Sequence, residues 1–266
     1  MISKIIKIFF YYKYDLFRKI RILFKINQKI FINGYELTLP PGHLLTMYDY
    51  LYPQYDKFIL KLANTINKDG SIIDIGANVG DTLVRLINSK SESEYYSIEA
   101  DEYFFKYLQK NKEKIISNNQ SRITLIKELV GIDLVGNLSS TTTGTKSLVI
   151  NNNGLKTKKL DDIIVEYNIK NISLIKVDVD GYDYNVLLSG MDQIKKYKPI
   201  LFFEYMSLIS KIGYLDLINK LYKIGYNKWT ALDNYGEIIF EDKDYKDIVS
   251  LIELNKINHL DICCRV

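Results

Sequence analysis

Carboxylates that follow apolar, β-branched runs and precede glycine turns are the residues of this chain best suited to chemistry. The first such stretch is Ile72-Ile73-Asp74-Ile75-Gly76-Ala77-Asn78-Val79-Gly80-Asp81-Thr82, a predicted strand that ends in an acid and passes through small residues into a helical pattern. Gly76 and Gly80 permit a backbone path close to a ligand, and a helix start beyond them leaves free N–H groups facing it. Such a turn suits a nucleotide-like cofactor, although a purely structural strand-to-helix turn has the same composition. A dinucleotide fingerprint needs Gly-x-Gly-x-x-Gly. Here Asn78 stands at its middle glycine and Asp81 at its last, so the match is poor.

Further acids recur at predicted strand ends. Glu94 to Glu99 reads as a second strand. Glu99 follows the glycine turn at about the 20-residue spacing at which a carboxylate accepts ribose hydroxyls. The competing role for Glu99 is to cap the helix predicted from Glu102 to Lys112, for which Asp101 is better suited. Glu128 follows a third strand, Arg122 to Ile126, where a polar group meets adenine or simply faces solvent. In Lys176-Val177-Asp178-Val179-Asp180-Gly181 two acids interrupt an apolar strand at period two. That spacing sets Asp178 and Asp180 on one strand face, with Lys176 behind them to offset the cost of burial. Paired acids of this kind mark a working site more often than a structural pair. Pro199 to Glu204 is a fifth strand ending in an acid.

Five strands alternating with helical patterns imply an open, mostly parallel α/β sheet whose carboxyl edge gathers these groups. The chain is long enough for one main core. Adjacent Cys263 and Cys264 imply no disulfide framework and favour a reducing cytoplasm, and His43 and His259 have no metal-ligand spacing. Residues 1 to 30 carry eight Lys or Arg against Asp15 alone, a net +7 that leaves the remainder at −3 of the whole chain's +4. Basic residues interrupt every apolar run there, which excludes a membrane span or a secretory signal. The stretch reads as helix packed on the domain with a solvated basic face, or as an amphipathic helix on an anionic membrane surface. Asn33-Gly34 predicts a hairpin, and Met47 to Ile66 a helix broken near Pro53. These mark 1–50 as a basic helical extension with a short hairpin, and 51–266 as the main domain. The Ser-, Thr- and Asn-rich stretch from Asn137 to Asn153 reads as surface loop or irregular hairpin, Asn185 to Ile194 as one helix, and the tail as helix, strand, turn, strand, helix and final strand.

Three blocks, Ile73-Asp74-Ile75-Gly76-Ala77-Asn78-Val79-Gly80-Asp81, Ser97-Ile98-Glu99 and Lys176-Val177-Asp178-Val179-Asp180-Gly181, resemble in order and spacing the FkbM-type family of class I S-adenosylmethionine-dependent methyltransferases. The resemblance runs from about Tyr55 to Glu204. It departs at Asp180, where the family more usually has Glu, and at Ala100, where Pro is common. It implies a Rossmann-like sheet of seven mostly parallel strands with an antiparallel edge element. It further implies O-methyl transfer from S-adenosylmethionine to a hydroxyl of a sugar or glycan precursor. No nucleic-acid partner is expected, and the ligand count demands no metal, while a divalent cation held between the acids stays open. On the matching positions, Asp74, Gly76, Ala77, Asn78, Gly80, Asp81 and Glu99 serve the cofactor; Glu128 joins them only by its place after the third strand. Asp178, Asp180 and Glu204 serve catalysis, with Asp180 as the proton acceptor. The alternatives are a non-catalytic cofactor-binding or assembly subunit and an NAD-dependent sugar oxidoreductase.

Overall fold

A computed structural model of the chain describes residues 14–66, 70–87, 93–115, 122–140, 146–254 and 257–266; the first thirteen residues and the hydroxyl-rich 141–145 lie outside these. Residues 14–23 are helical. Asn33 and Gly34 both take positive φ, 50° and 85°, as a two-residue hairpin turn requires. They join strand β1 (Gln28–Ile32) to β2 (Tyr35–Leu39). Pro53 separates the helices Leu45–Leu51 and Lys57–Thr65.

The core strands are β3 (Ser71–Ile75), β4 (Tyr95–Ile98), β5 (Ile123–Ile126), β9 (Ile172–Val177), β10 (Ile200–Met206), β11 (Lys228–Leu232), β12 (Ile238–Lys243) and β13 (His259–Arg265). They form one sheet in the order β12-β11-β13-β10-β9-β3-β4-β5. β3, β4, β5, β9 and β10 run parallel, while β13, β11 and β12 are antiparallel. The sheet therefore has eight strands where seven were expected; the additional one is β12, which pairs only with β11 at the outer edge.

Neighbouring residues on each central strand enter opposite cores, as the pleat demands. Ile73, Ile175, Phe203 and Cys264 face one core, closed by the helices Leu160–Glu166, Ser207–Lys223 and Tyr245–Glu253. Ile72, Leu174, Phe202 and Cys263 face the other, closed by Lys57–Thr65, Asp81–Ile87, Glu102–Lys112 and the β1–β2 hairpin. The same alternation sends Cys263 and Cys264 to opposite faces, so both are buried and free. Ile30, Ile32, Leu37 and Leu39 of the hairpin share that second core, and buried Asn111 bonds Thr38 and the Val79 carbonyl, which joins hairpin, helix and glycine turn.

One local expectation changes. Residues 185–194 form not one helix but parts of two, Asp183–Leu188 and Met191–Tyr197, broken at Ser189-Gly190 where Leu160 packs closely. Of the two readings of the polar stretch, the hairpin holds: β6 (Val135–Ser140) and β7 (Lys146–Ile150) pair antiparallel, and β8 (Leu155–Lys156) completes a small antiparallel sheet.

Candidate active site

The carboxyl ends of β3, β4, β9 and β10 open into a cavity of about 250 Å³. Gly76, Asn78, Asp81, Glu99, Glu128, Asp178, Asp180 and Glu204 all line it, so the sheet edge gathers most of the residues singled out from sequence. Asp74, Ala77 and Gly80 do not. Asp74 and Ala77 are buried behind the turn, and Gly80, at φ 90°, allows Leu108 to pack closely. Gly76 takes φ 80°, and a Cβ there would lie 1.9 Å from the Asp178 carbonyl oxygen, so the turn and the end of β9 touch backbone to backbone.

Glu99 braces the turn from the next strand. One of its oxygens accepts from the backbone N–H of Asn78 and the other from that of Asp101, each at 2.8 Å. Each oxygen keeps a second lone pair. Burial pushes this carboxyl up to about 7, against the pull of those two N–H groups. Asp101 caps the helix Glu102–Lys112 by accepting from Tyr103 and Phe104. Lys146 of β7 pairs with Asp101 at 2.6 Å, and Leu138 and Leu148 join the wall, so the polar stretch covers this end of the cavity. Glu128 lies 3.6 Å from Lys158. With Ile98, Phe104, Leu129 and Val130 around it, this end offers apolar walls for a flat base.

At the other end, β9 stops at Val177, and Asp180 adopts φ 52° ahead of Gly181 at 103°. Strand alternation therefore ends before Asp178 and Asp180; a turn, rather than one strand face, brings both to the cavity. Asp183, fully buried, holds that turn by accepting from the N–H groups of Val179, Gly181 and Glu204 at 3.4, 3.3 and 3.0 Å. Lys176 lies 3.3 Å from both Asp74 and Asp178. Burial alone would lower its pKa, but the carboxylates of Asp74 and Asp178 hold it well above the usual lysine range.

His259 and Asp261 of β13 reach the same cavity. Neither was assigned a role from sequence, because an antiparallel strand so far along the chain carries no motif. His259 Nδ1 lies 2.9 Å from Glu204 Oε1. Burial, reinforced by Asp178 and Asp180, pushes Glu204 up to about 9, and burial lowers His259 against the opposing field of Asp180. Both shifts favour a neutral pair at neutral pH, with the proton on the carboxyl. Glu204 is thus a poor proton acceptor at pH 7.

His43, likewise unassigned from sequence, packs against the glycine turn. Its Nδ1 accepts from the Leu45 N–H at 3.2 Å. That bond leaves Nε2 as the protonated nitrogen of the neutral ring. Nε2 lies 3.3 Å from the side-chain oxygen of Asn78, which takes φ 47° there. Tyr48 and Tyr55, stacked at 5.3 Å, line the cavity, and Tyr48 continues through Tyr52 to Tyr235, the last two stacked at 4.1 Å. Among the described residues no group of three or more His, Cys, Asp or Glu is arranged to hold a metal ion.

Compared with known families, residues 74–248 match the model described as Methyltransferase FkbM domain, 175 of the chain's 266 residues. No curated protein matches. Similar solved structures include the FkbM methyltransferase of Methylobacillus flagellatus KT, at 17% identity and TM-score 0.48. That match covers 73% of this chain and 57% of the other's length. Aeropyrum pernix fibrillarin with natively bound S-adenosyl-L-methionine follows at 10% identity and TM-score 0.47, covering 91% and 83%. M. jannaschii TYW2 in complex with AdoMet has 11% identity and TM-score 0.46, covering 91% and 88%. The domain match, and not these distant structures, carries the comparison.

Proposed function

This chain belongs to the FkbM methyltransferase family, and we propose that it transfers a methyl group from S-adenosylmethionine to a hydroxyl of a sugar or glycan precursor. The observation that carries the reading is the character of the cavity wall, on which nine carboxyl side chains stand against two lysines. Such a wall suits a cationic sulfonium and a neutral hydroxylated acceptor. It opposes the pyrophosphate of a dinucleotide, which Asp81 at the start of its helix would repel. Burial keeps part of this wall protonated when empty, as at Glu99 and at Asp56, pushed up to about 7 despite the nearby Arg85.

When bound, the donor supplies an electrophilic methyl carbon. The protein's task is then to hold the acceptor oxygen in line and to take its proton. Glu99 receives the ribose hydroxyls on its remaining lone pairs, and Glu128 meets the adenine edge. Asp178, paired with Lys176, orients the acceptor or the methionine moiety. Asp180 takes the hydroxyl proton, and protonated Glu204 donates a hydrogen bond toward the acceptor. The tyrosines on the cavity wall, Tyr48, Tyr55 and Tyr182, support a sugar, whose C–H faces pack on aromatic rings while its hydroxyls meet acids.

Asp180→Asn keeps shape and tolerates positive φ. It is expected to lower turnover by about 10²–10⁴-fold while donor affinity in calorimetry holds. Normal turnover in Asp180→Asn together with its loss in His259→Gln moves the base to His259, and normal turnover in both refutes acid–base catalysis here. Incubation with radiolabelled methyl donor and cell-envelope extract tests the acceptor. Label on carbohydrate supports the reading, label confined to other molecules refutes it, and no turnover with intact donor binding favours a non-catalytic subunit.

A further inference from the structure

The helix at residues 14–23 is docked the wrong way round for a soluble domain. Its polar side faces the protein: the Tyr14 hydroxyl bonds the His43 carbonyl and the Gln28 side chain, Arg18 donates to the Gly42 carbonyl, and Arg21 donates to Gln28. Its apolar side faces out. Leu16, Phe17, Ile20, Leu23 and Phe24 recur at i, i+1, i+4, i+7 and i+8, the spacing of a single helix face. They are 60%, 47%, 39%, 74% and 67% exposed. A contiguous stripe of five large apolar side chains in water marks a surface that meets something else.

We infer that this face docks on an anionic lipid bilayer. Charge selects that partner. Lys19 and Lys25 are exposed beside the stripe, Lys29 follows, and the first thirty residues carry a net +7. A second copy of the same segment would bring like charges together, whereas anionic headgroups attract each basic residue and leave the leucine and phenylalanine side chains in the acyl boundary. Among the described residues no helix is long and apolar enough to cross a membrane, so the geometry is that of a helix lying in the interface. The inner side of the helix rests on the Gly42–His43 segment, and His43 lines the cavity; the docked surface therefore lies one layer from the site.

The test is co-sedimentation of the full chain with vesicles of phosphatidylcholine alone or of phosphatidylcholine mixed with phosphatidylserine, alongside sedimentation velocity without lipid. Binding to the anionic vesicles that weakens with added salt, and falls roughly tenfold or more in Leu23→Ser/Phe24→Ser, supports the proposal. Both side chains are mostly exposed, so the variant is expected to keep the wild-type melting temperature. Absence of vesicle binding, or binding that the double substitution leaves unchanged, overturns it. A dimer that the substitution dissociates, without vesicle binding, assigns the stripe to self-association instead. None of these readouts depends on methyl transfer.

Discussion

Replacing Glu204 by Gln separates the protonation state of this residue from its shape. In the folded protein the carboxyl is pushed up to about 9, against an ordinary value of 4.5, by burial and by Asp178 and Asp180. Because the folded value is the higher one, the stabilisation is fully present below 4.5 and is lost as pH rises through 9. Between pH 5 and 7 the unfolded carboxyl gives up its proton while the folded one keeps it, at about 1.4 kcal/mol per pH unit. Over that interval wild type is expected to lose roughly 2 to 3 kcal/mol relative to Glu204→Gln, since the amide does not titrate. Urea unfolding of both proteins at the two pH values measures the difference, and acids common to both largely cancel. The same protonation state means that Gln mimics the native group at pH 7, so turnover is expected to stay within about tenfold, whereas loss of a general base costs about 10²–10⁴-fold. Parallel pH slopes for the two proteins, or a collapse of turnover at pH 7, would refute the neutral carboxyl.

Glu99→Ala is expected to weaken donor binding by about 1.5–3 kcal/mol in calorimetry, the scale of hydrogen bonds to a charged group. Because burial lifts Glu99 to about 7, wild-type affinity should rise with pH through that range. The donor's own amino group titrates nearby, so the quantity to read is the wild-type slope minus that of Glu99→Ala. Gly76→Ala places a methyl group on the Asp178 carbonyl at a backbone φ of 80°. It should cost about 3 kcal/mol or more in denaturant unfolding. A stable Gly76→Ala protein with normal donor affinity would contradict the backbone contact. Lys176→Met leaves buried Asp74 without its cation. It should destabilise by about 3–5 kcal/mol, while Lys176→Met/Asp74→Leu recovers much of that loss. No recovery in the double variant would show that the pair is not the source.

Local chemistry made the fold's centre readable from the chain alone. Apolar runs that end in acids and small residues mark the places where a buried parallel strand meets a turn, so β3, β4, β5, β9 and β10 and the carboxyl edge they share could be read directly. Asn33-Gly34 and Pro53 were equally legible, because positive φ and a missing N–H are properties of single residues. β12 was legible as a strand but not as the sheet's eighth, since its pairing with β11 depends on where the two outer strands end in space. Period-two spacing also misplaced the Asp178–Asp180 pair, because Asp183, a residue without a motif, draws the chain out of β9 into a turn by binding Val179, Gly181 and Glu204. His43 approaches the site from well before Asn78 and His259 from well after Glu204, separations at which sequence carries no contact signal. Burial then decides protonation. Types and spacing named Glu99, Asp180 and Glu204 alike as acids at a ligand edge, but only the low-dielectric surroundings set by tertiary packing distinguish a carboxyl near 7 from one near 9.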